Sequence, residues 1–205
     1  MQACMVQTGR PWCFTLLDQG VRGRQAAVLT QAVQDGAARL VQDLSNRIAI
    51  TRRLDDLKWL RKLCIVPWDD ERVCRWATWG GAVDILAWLQ DLGTVLDGGT
   101  CANAALEGRT NVIAWARQRG VAWDARACAA AALKNQLATL QWLRARGCPW
   151  DTRTCAAAAK GGHLQLLQWA RQQGCPWDAG TVLAAVLADH MEVLDWALSN
   201  DCPLV

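Results

Sequence analysis

Trp88, Trp115, Trp142, Trp169 and Trp196 are each separated by 27 residues, and this ladder constrains the fold more than any other feature of the chain. A second series, Trp123, Trp150 and Trp177, runs beside it with Leu96 and Leu204 in register, and Asp97, Asp124, Asp151 and Asp178 follow that series directly. Cys101, Cys128 and Cys155 form a third ladder, Cys148, Cys175 and Cys202 a fourth, and His163 and His190 a fifth. A fixed period of roughly 20 to 50 residues is the signature of stacked supersecondary units, none of which can bury its apolar face alone.

The unit from Asp151 to Trp177 shows what each repeat encodes. Asp151 is suited to cap a helix N-terminus, and the alanines from Cys155 onward have the highest helix propensity available. Gly161 and Gly162 are expected to end that helix. Leu164, Leu167, Trp169 and Ala170 then give an apolar stripe at helical spacing, closed by Gly174 and Pro176, which predicts a second helix of about ten residues. Alanines allow the first helices of neighbouring units to approach closely. The predicted fold is therefore all-α, a solenoid of stacked antiparallel helix pairs joined by short junctions.

Four well-aligned units run from Asp97 to Leu204, preceded by Asp69 to Leu96, which carries one extra residue near Cys74. The array thus occupies residues 69–205, about five units. Residues 1–68 read as an N-terminal helical capping region of degenerate repeats. Within it, Gln25 to Leu44 and Leu54 to Leu63 are predicted to be helical, after an irregular start through Gly9 to Trp12.

Composition narrows the class. The chain is 52% hydrophobic over 205 residues, which supplies a sizeable core and argues against disorder. Uninterrupted apolar runs such as Ala127 to Leu133 fall far below the roughly 20 residues a membrane-spanning helix needs. Met1 to Thr15 lacks the pattern of a secretory leader, so a cytoplasmic location is expected and the ten cysteines are expected to be reduced. Net charge is only +3, with the excess of Lys and Arg in residues 1–68.

The run Ala158-Ala159-Lys160-Gly161-Gly162-His163-Leu164, continuing to Leu167 and Trp169, resembles the A-A-x-x-G-H-L-x-x-L stretch of ankyrin repeats. Those usually have 33 residues and a hairpin finger, whereas only Gly-Cys-Pro-Trp-Asp lies between helices here. In length and junction the units resemble the short ankyrin repeats of giant DNA viruses, such as pandoraviruses and mimiviruses, and of oomycetes. The resemblance implies an ankyrin-like solenoid with shortened junctions that binds a protein partner, in the host cytoplasm if the source is viral. Some members carry an N-terminal F-box, which would make the chain a substrate adaptor for a ubiquitin ligase; residues 1–50 show no convincing one.

Each ladder has a structural and a functional reading. The tryptophans could be stacking platforms for bases, but their strict period on the apolar stripe places Trp88, Trp115, Trp142, Trp169, Trp196, Trp123, Trp150 and Trp177 as structural, with Trp142→Ala expected to cost about 3–5 kcal/mol. Equivalent cysteines in adjacent units lie about 8–10 Å apart, too far for disulfides along a ladder. Within a junction Cys148 and Cys155 could meet, but Cys128 faces Val121 and Cys175 faces Val182 in the equivalent places, so pairing is not a rule of the repeat; the thiols read as buried and structural, with a redox or metal role the lesser alternative. His163 and His190 occupy a turn and are expected to cap it. No nucleophile and base recur together, so no catalytic residue, metal or cofactor is expected.

Binding specificity is expected where the structural consensus relaxes: Arg126 and Arg153 in the junctions, and Lys134, Lys160 and Glu107 at the ends of first helices. Arg117, Arg144 and Arg171 recur on the second helices and read as a solvated outer face or a site for an acidic partner. The expected function is a monomeric, non-catalytic scaffold for a protein. The alternative is nucleic-acid binding through the basic cluster at residues 47–62, comprising Arg47, Arg52, Arg53, Lys58, Arg61 and Lys62, although nucleic acid is the less expected partner.

Overall fold

The computed structural model describes residues 14–64 and 69–204. All regular structure among them is helical, and the chain divides into two compact units, Met1–Thr94 and Val95–Val205. The expected irregular start at Gly9 to Trp12 lies outside the described residues.

The first unit contains α1 (Phe14–Arg22), α2 (Ala26–Ala32), α3 (Ala38–Ile50), α4 (Leu54–Leu63), α5 (Asp70–Gly80) and α6 (Val83–Asp91). The helix predicted from Gln25 to Leu44 is two helices, α2 and α3. A π-helical turn at Val33–Ala37 separates them, where Gly36 takes the left-handed φ of +86° that glycine tolerates. The helix predicted at Leu54 to Leu63 is α4. Leu17, Val21, Leu29, Val41, Leu44, Ile48, Leu57, Leu60 and Ile85 form the core, each no more than 2% exposed. The repeat that begins at Asp69 packs with these helices, α5 lying on α3. There the backbones nearly touch: a Cβ on Gly80 would stand 2.5 Å from the Ile50 carbonyl oxygen, so no larger residue fits.

The second unit is the regular array: α7 (Gly98–Leu106), α8 (Thr110–Gln118), α9 (Ala125–Leu133), α10 (Leu137–Ala145), α11 (Thr152–Lys160), α12 (Leu164–Gln172), α13 (Ala179–Leu187) and α14 (Met191–Ser199). Each first helix starts at a capping aspartate. The Asp124 carboxylate accepts from the Arg126 amide at 2.9 Å, that of Asp151 from Arg153 at 3.1 Å, and that of Asp178 from Gly180 at 2.9 Å, satisfying an amide the helix leaves free.

Both helices of a unit end in the same way. After α10, the Gly147 amide donates to the Arg144 carbonyl and the Cys148 amide to that of Leu143, with Gly147 at φ +78°, which is a Schellman closure. After α11 the left-handed residue is Gly162, not the Gly161 before it; Asn135 and Asp189 take that conformation after α9 and α13. Nine residues per helix follow from caps placed this regularly.

The first helices α7, α9, α11 and α13 pack on one another in sequence, and each second helix packs on its own partner. Ala104, Ala105, Ala131, Ala132, Ala158 and Ala159 are fully buried in the row, so helix backbones replace bulky side chains as the packing surface. The fold is the predicted helical-repeat solenoid, stacked in antiparallel pairs with short junctions. Among the described residues, no helix is long and apolar enough to cross a membrane.

Candidate functional site

The nine-residue first helices are about 13 Å long, and the residues singled out for binding sit at their two ends. Arg126 and Arg153 lie in the first turns of α9 and α11, and Lys134 and Lys160 at the other ends of the same helices. Glu107 follows α7. The structure therefore sets these residues at the two ends of the row of first helices, with Lys160 one position out of register with Glu107 and Lys134, and does not converge them on one spot. Between the two ends run Ala129, Ala130, Ala156 and Ala157, all partly exposed.

The two arginines fold back onto their own helix caps. Arg126 Nε lies 2.9 Å from the Asp124 carboxylate and Arg153 Nη2 lies 2.6 Å from that of Asp151. Both remain exposed, at 52% and 63%, so the pairing costs a partner little to break. Lys134 and Lys160 are exposed, and Glu107 is half-buried.

His163 and His190 cap the preceding unit. The Nε2 of His163 donates to the Leu133 carbonyl at 3.1 Å, and that of His190 to the Lys160 carbonyl at 3.2 Å, each closing a free carbonyl at the end of a first helix. Gly161 makes room: a Cβ there would lie 2.4 Å from the His163 ring nitrogen and 2.8 Å from the Leu133 carbonyl.

Among the described residues, cysteines meet within a repeat and not across a junction. Cys148 hydrogen-bonds Cys128, not Cys155, and Cys175 hydrogen-bonds Cys155. The reason is the junction's course: it turns back over its own first helix, so that the Cys148 thiol also reaches the Asp124 carbonyl at 3.6 Å and Cys175 that of Asp151 at 3.6 Å. The hydrogen bond to Cys148, and then burial, raises the pKa of Cys128; Cys155 is raised in the same way through Cys175. Burial pushes Cys101 up to about 11. Cys101, Cys128 and Cys155 are thereby held protonated as small packing groups, while the same hydrogen bonds lower the pKa of Cys148 and Cys175.

All eight ladder tryptophans are partly exposed, and six of them are joints between repeats as well as core. Trp123 meets Trp142 edge to face at 6.3 Å, Trp150 meets Trp169 at 6.1 Å, and Trp177 meets Trp196 at 5.7 Å. Each pair links a junction to the second helix of the next unit. Guanidinium groups cover these rings: Arg144 over Trp150 at 4.1 Å, Arg171 over Trp177 at 4.2 Å, and Arg146 over Trp142 at 4.1 Å. Arg117, Arg144 and Arg171 also donate through Nη1 to the carbonyls of Val121, Cys148 and Cys175. Sequence reading noted these arginines as a recurring outer row but not their stacking, although the constant six-residue step to the next tryptophan carries the signal.

The basic cluster at residues 47–62 is occupied within its own unit. Arg53 bridges Asp18 and Asp56, Arg61 binds Asp70 at 2.8 Å, Arg52 donates twice to the Gly80 carbonyl, and Arg47 covers Phe14. These contacts tie helices together, and the carboxylates neutralise Arg53 and Arg61, two of the six cations on which a nucleic-acid reading of residues 47–62 rests. Among the described residues, no group of three or more His, Cys, Asp or Glu side chains is arranged to hold a metal ion.

No family model matches the chain, and neither does any curated protein. Among solved structures it is similar to the pentatricopeptide repeat protein PPR10 in complex with an 18-nt psaJ RNA element, at 16% identity and a TM-score of 0.40 over 90% of this chain and 35% of that one. It is also similar to PPR10 from maize, at 18% identity and a TM-score of 0.39 over 91% and 33%. The chain spans about a third of the length of these structures.

Proposed function

We propose that this helical-repeat protein is a non-catalytic scaffold of the short ankyrin type that holds a protein partner along its row of first helices, acting in the cytoplasm. The observation that carries this reading is positional: Arg126 and Arg153 recur exposed at the same place in successive units, and Lys134 and Lys160 are exposed at the opposite ends of the same two helices, one position out of register with each other. They border a strip of alanines that leaves the helix backbones open to close approach. A partner with acidic groups on both sides of an apolar ridge would pair with the cations at both ends of the first helices while its ridge covers the alanines.

Affinity capture from nuclease-treated lysate, with Arg126→Glu/Arg153→Glu and Lys134→Glu/Lys160→Glu variants as controls, tests this reading. One protein is expected to be captured by the native chain and lost from both double variants, with their helical circular dichroism unchanged. Retention of that protein by both variants would remove the first-helix row as its site.

A further inference from the structure

The second helices present a surface that the scaffold reading leaves unused. Residues 109–123, 136–150 and 163–177 contain no Asp or Glu, while Arg117, Arg119, Arg144, Arg146 and Arg171 all lie on or just after α8, α10 and α12. From the turn before each second helix to the junction tryptophan, the charged side chains are all cations, and the capping aspartates follow only after that tryptophan. In the last unit Glu192 and Asp195 on α14 end the strip.

Open grooves run between successive second helices. One, of about 320 Å³, is lined by Gln141, Arg144, Trp150, Trp169 and Gln173; the next, of about 500 Å³, by Gln168, Arg171, Gln172, Trp177, Trp196 and Asn200. They are the same groove moved by one repeat. Each offers tryptophan rings and a guanidinium plane held against one of them, with amide side chains at the rim that can both donate and accept.

We infer that this outer face binds single-stranded nucleic acid. The flat groups suit unpaired bases, for which indole and guanidinium planes are stacking partners. The amides suit base edges, and the arginines beyond the grooves, Arg119 and Arg146, suit the phosphates that connect one base to the next. The repeat puts an equivalent groove at each step, so a linear polymer engages several at once and gains from each. An acidic peptide would satisfy the charge and leave the planar groups without a matching partner. A duplex would satisfy the charge with its bases shut away.

The experiment is fluorescence anisotropy of a labelled mixed-sequence single-stranded RNA of about twenty nucleotides with the full chain, from about 50 to 200 mM salt. With all five arginines of the strip, stacked or not, counted as charges set against the strand, the log–log salt slope is expected to be about −3.5, so affinity falls about a hundredfold across that range. Arg119→Gln/Arg146→Gln, which removes two exposed charges, is expected to weaken binding at the low-salt end by at least about tenfold and to flatten the slope to about −2. Gln141→Ala/Gln168→Ala is expected to weaken binding with the slope unchanged. Arg126→Glu/Arg153→Glu, on the first helices and outside both grooves, is expected to keep at least half of the native affinity, which separates this surface from the one proposed for the protein partner. Absence of binding at about 50 mM salt, a slope that the arginine variant leaves unchanged, or equal binding of a duplex of the same length would each overturn the inference. So would full displacement by polyglutamate at matched charge, the result expected of a site for acidic proteins.

Discussion

Trp142 illustrates how one side chain serves two units. Its ring meets Trp123 of the preceding junction edge to face, and Arg146 lies over it, so removing it loosens a joint as well as opening a space. Because the ring is only partly buried, Trp142→Ala is expected to cost about 2–3 kcal/mol, below the 3–5 typical of a sealed aromatic. An unchanged urea midpoint would show that the joint contributes nothing. The tryptophan period was legible in the sequence; the depth of the rings was not, since a stripe at helical spacing says which face is apolar but not how closely the next helix covers it.

Between elements of the first unit, ion pairs fasten what alanines fasten in the array. Asp18 of α1 accepts from Arg22 and from Arg53 at the start of α4. Burial acts against the Asp18 carboxylate, yet the hydrogen bonds from those arginines outweigh it and hold its pKa below the ordinary value. A lowered folded pKa means that this stabilisation is complete above the unfolded carboxylate pKa of about 3.9 and is lost as pH falls through the folded value. Asp18→Asn is therefore expected to lower unfolding stability by about 1–2 kcal/mol near neutral pH and by much less near pH 2, read from urea melts at both. Equal losses at the two pH values would mean that the charge plays no part. Sequence reading identified the cations of residues 47–62 as a patch, but their partners Asp18, Asp56 and Asp70 are distributed over three helices and meet only after folding.

Across the array, stability should follow the number of neighbours. Helices α9 and α11 are packed on both sides by other first helices, whereas Leu183, Val186 and Leu187 of α13 are 57%, 46% and 79% exposed. Native-state hydrogen exchange is expected to be slowest in α9 and α11 and faster by at least about tenfold in α13 and α14, as nearest-neighbour coupling in a linear array requires. Uniform protection across α9 to α14 would show that the array opens only as a whole. A stack of this kind offers partners long faces instead of a pocket, and its two faces differ in chemistry: alanine between charged rows on one, arginine on tryptophan on the other.

The sequence by itself determined the repeat length, the helix pair within each unit, its aspartate caps and glycine stops, and the stacking of units, because all of these depend on interactions within a few residues or on a period that the chain repeats. Only the tertiary structure decided which thiols meet, which carbonyls the histidines close, where Arg52 of the basic cluster is held, and that residues 69–94 pack with the first unit. The thiol, histidine and Arg52 contacts join groups about 20 to 30 positions apart, whose approach is set by how one helix lies on the next and leaves no mark on local pattern.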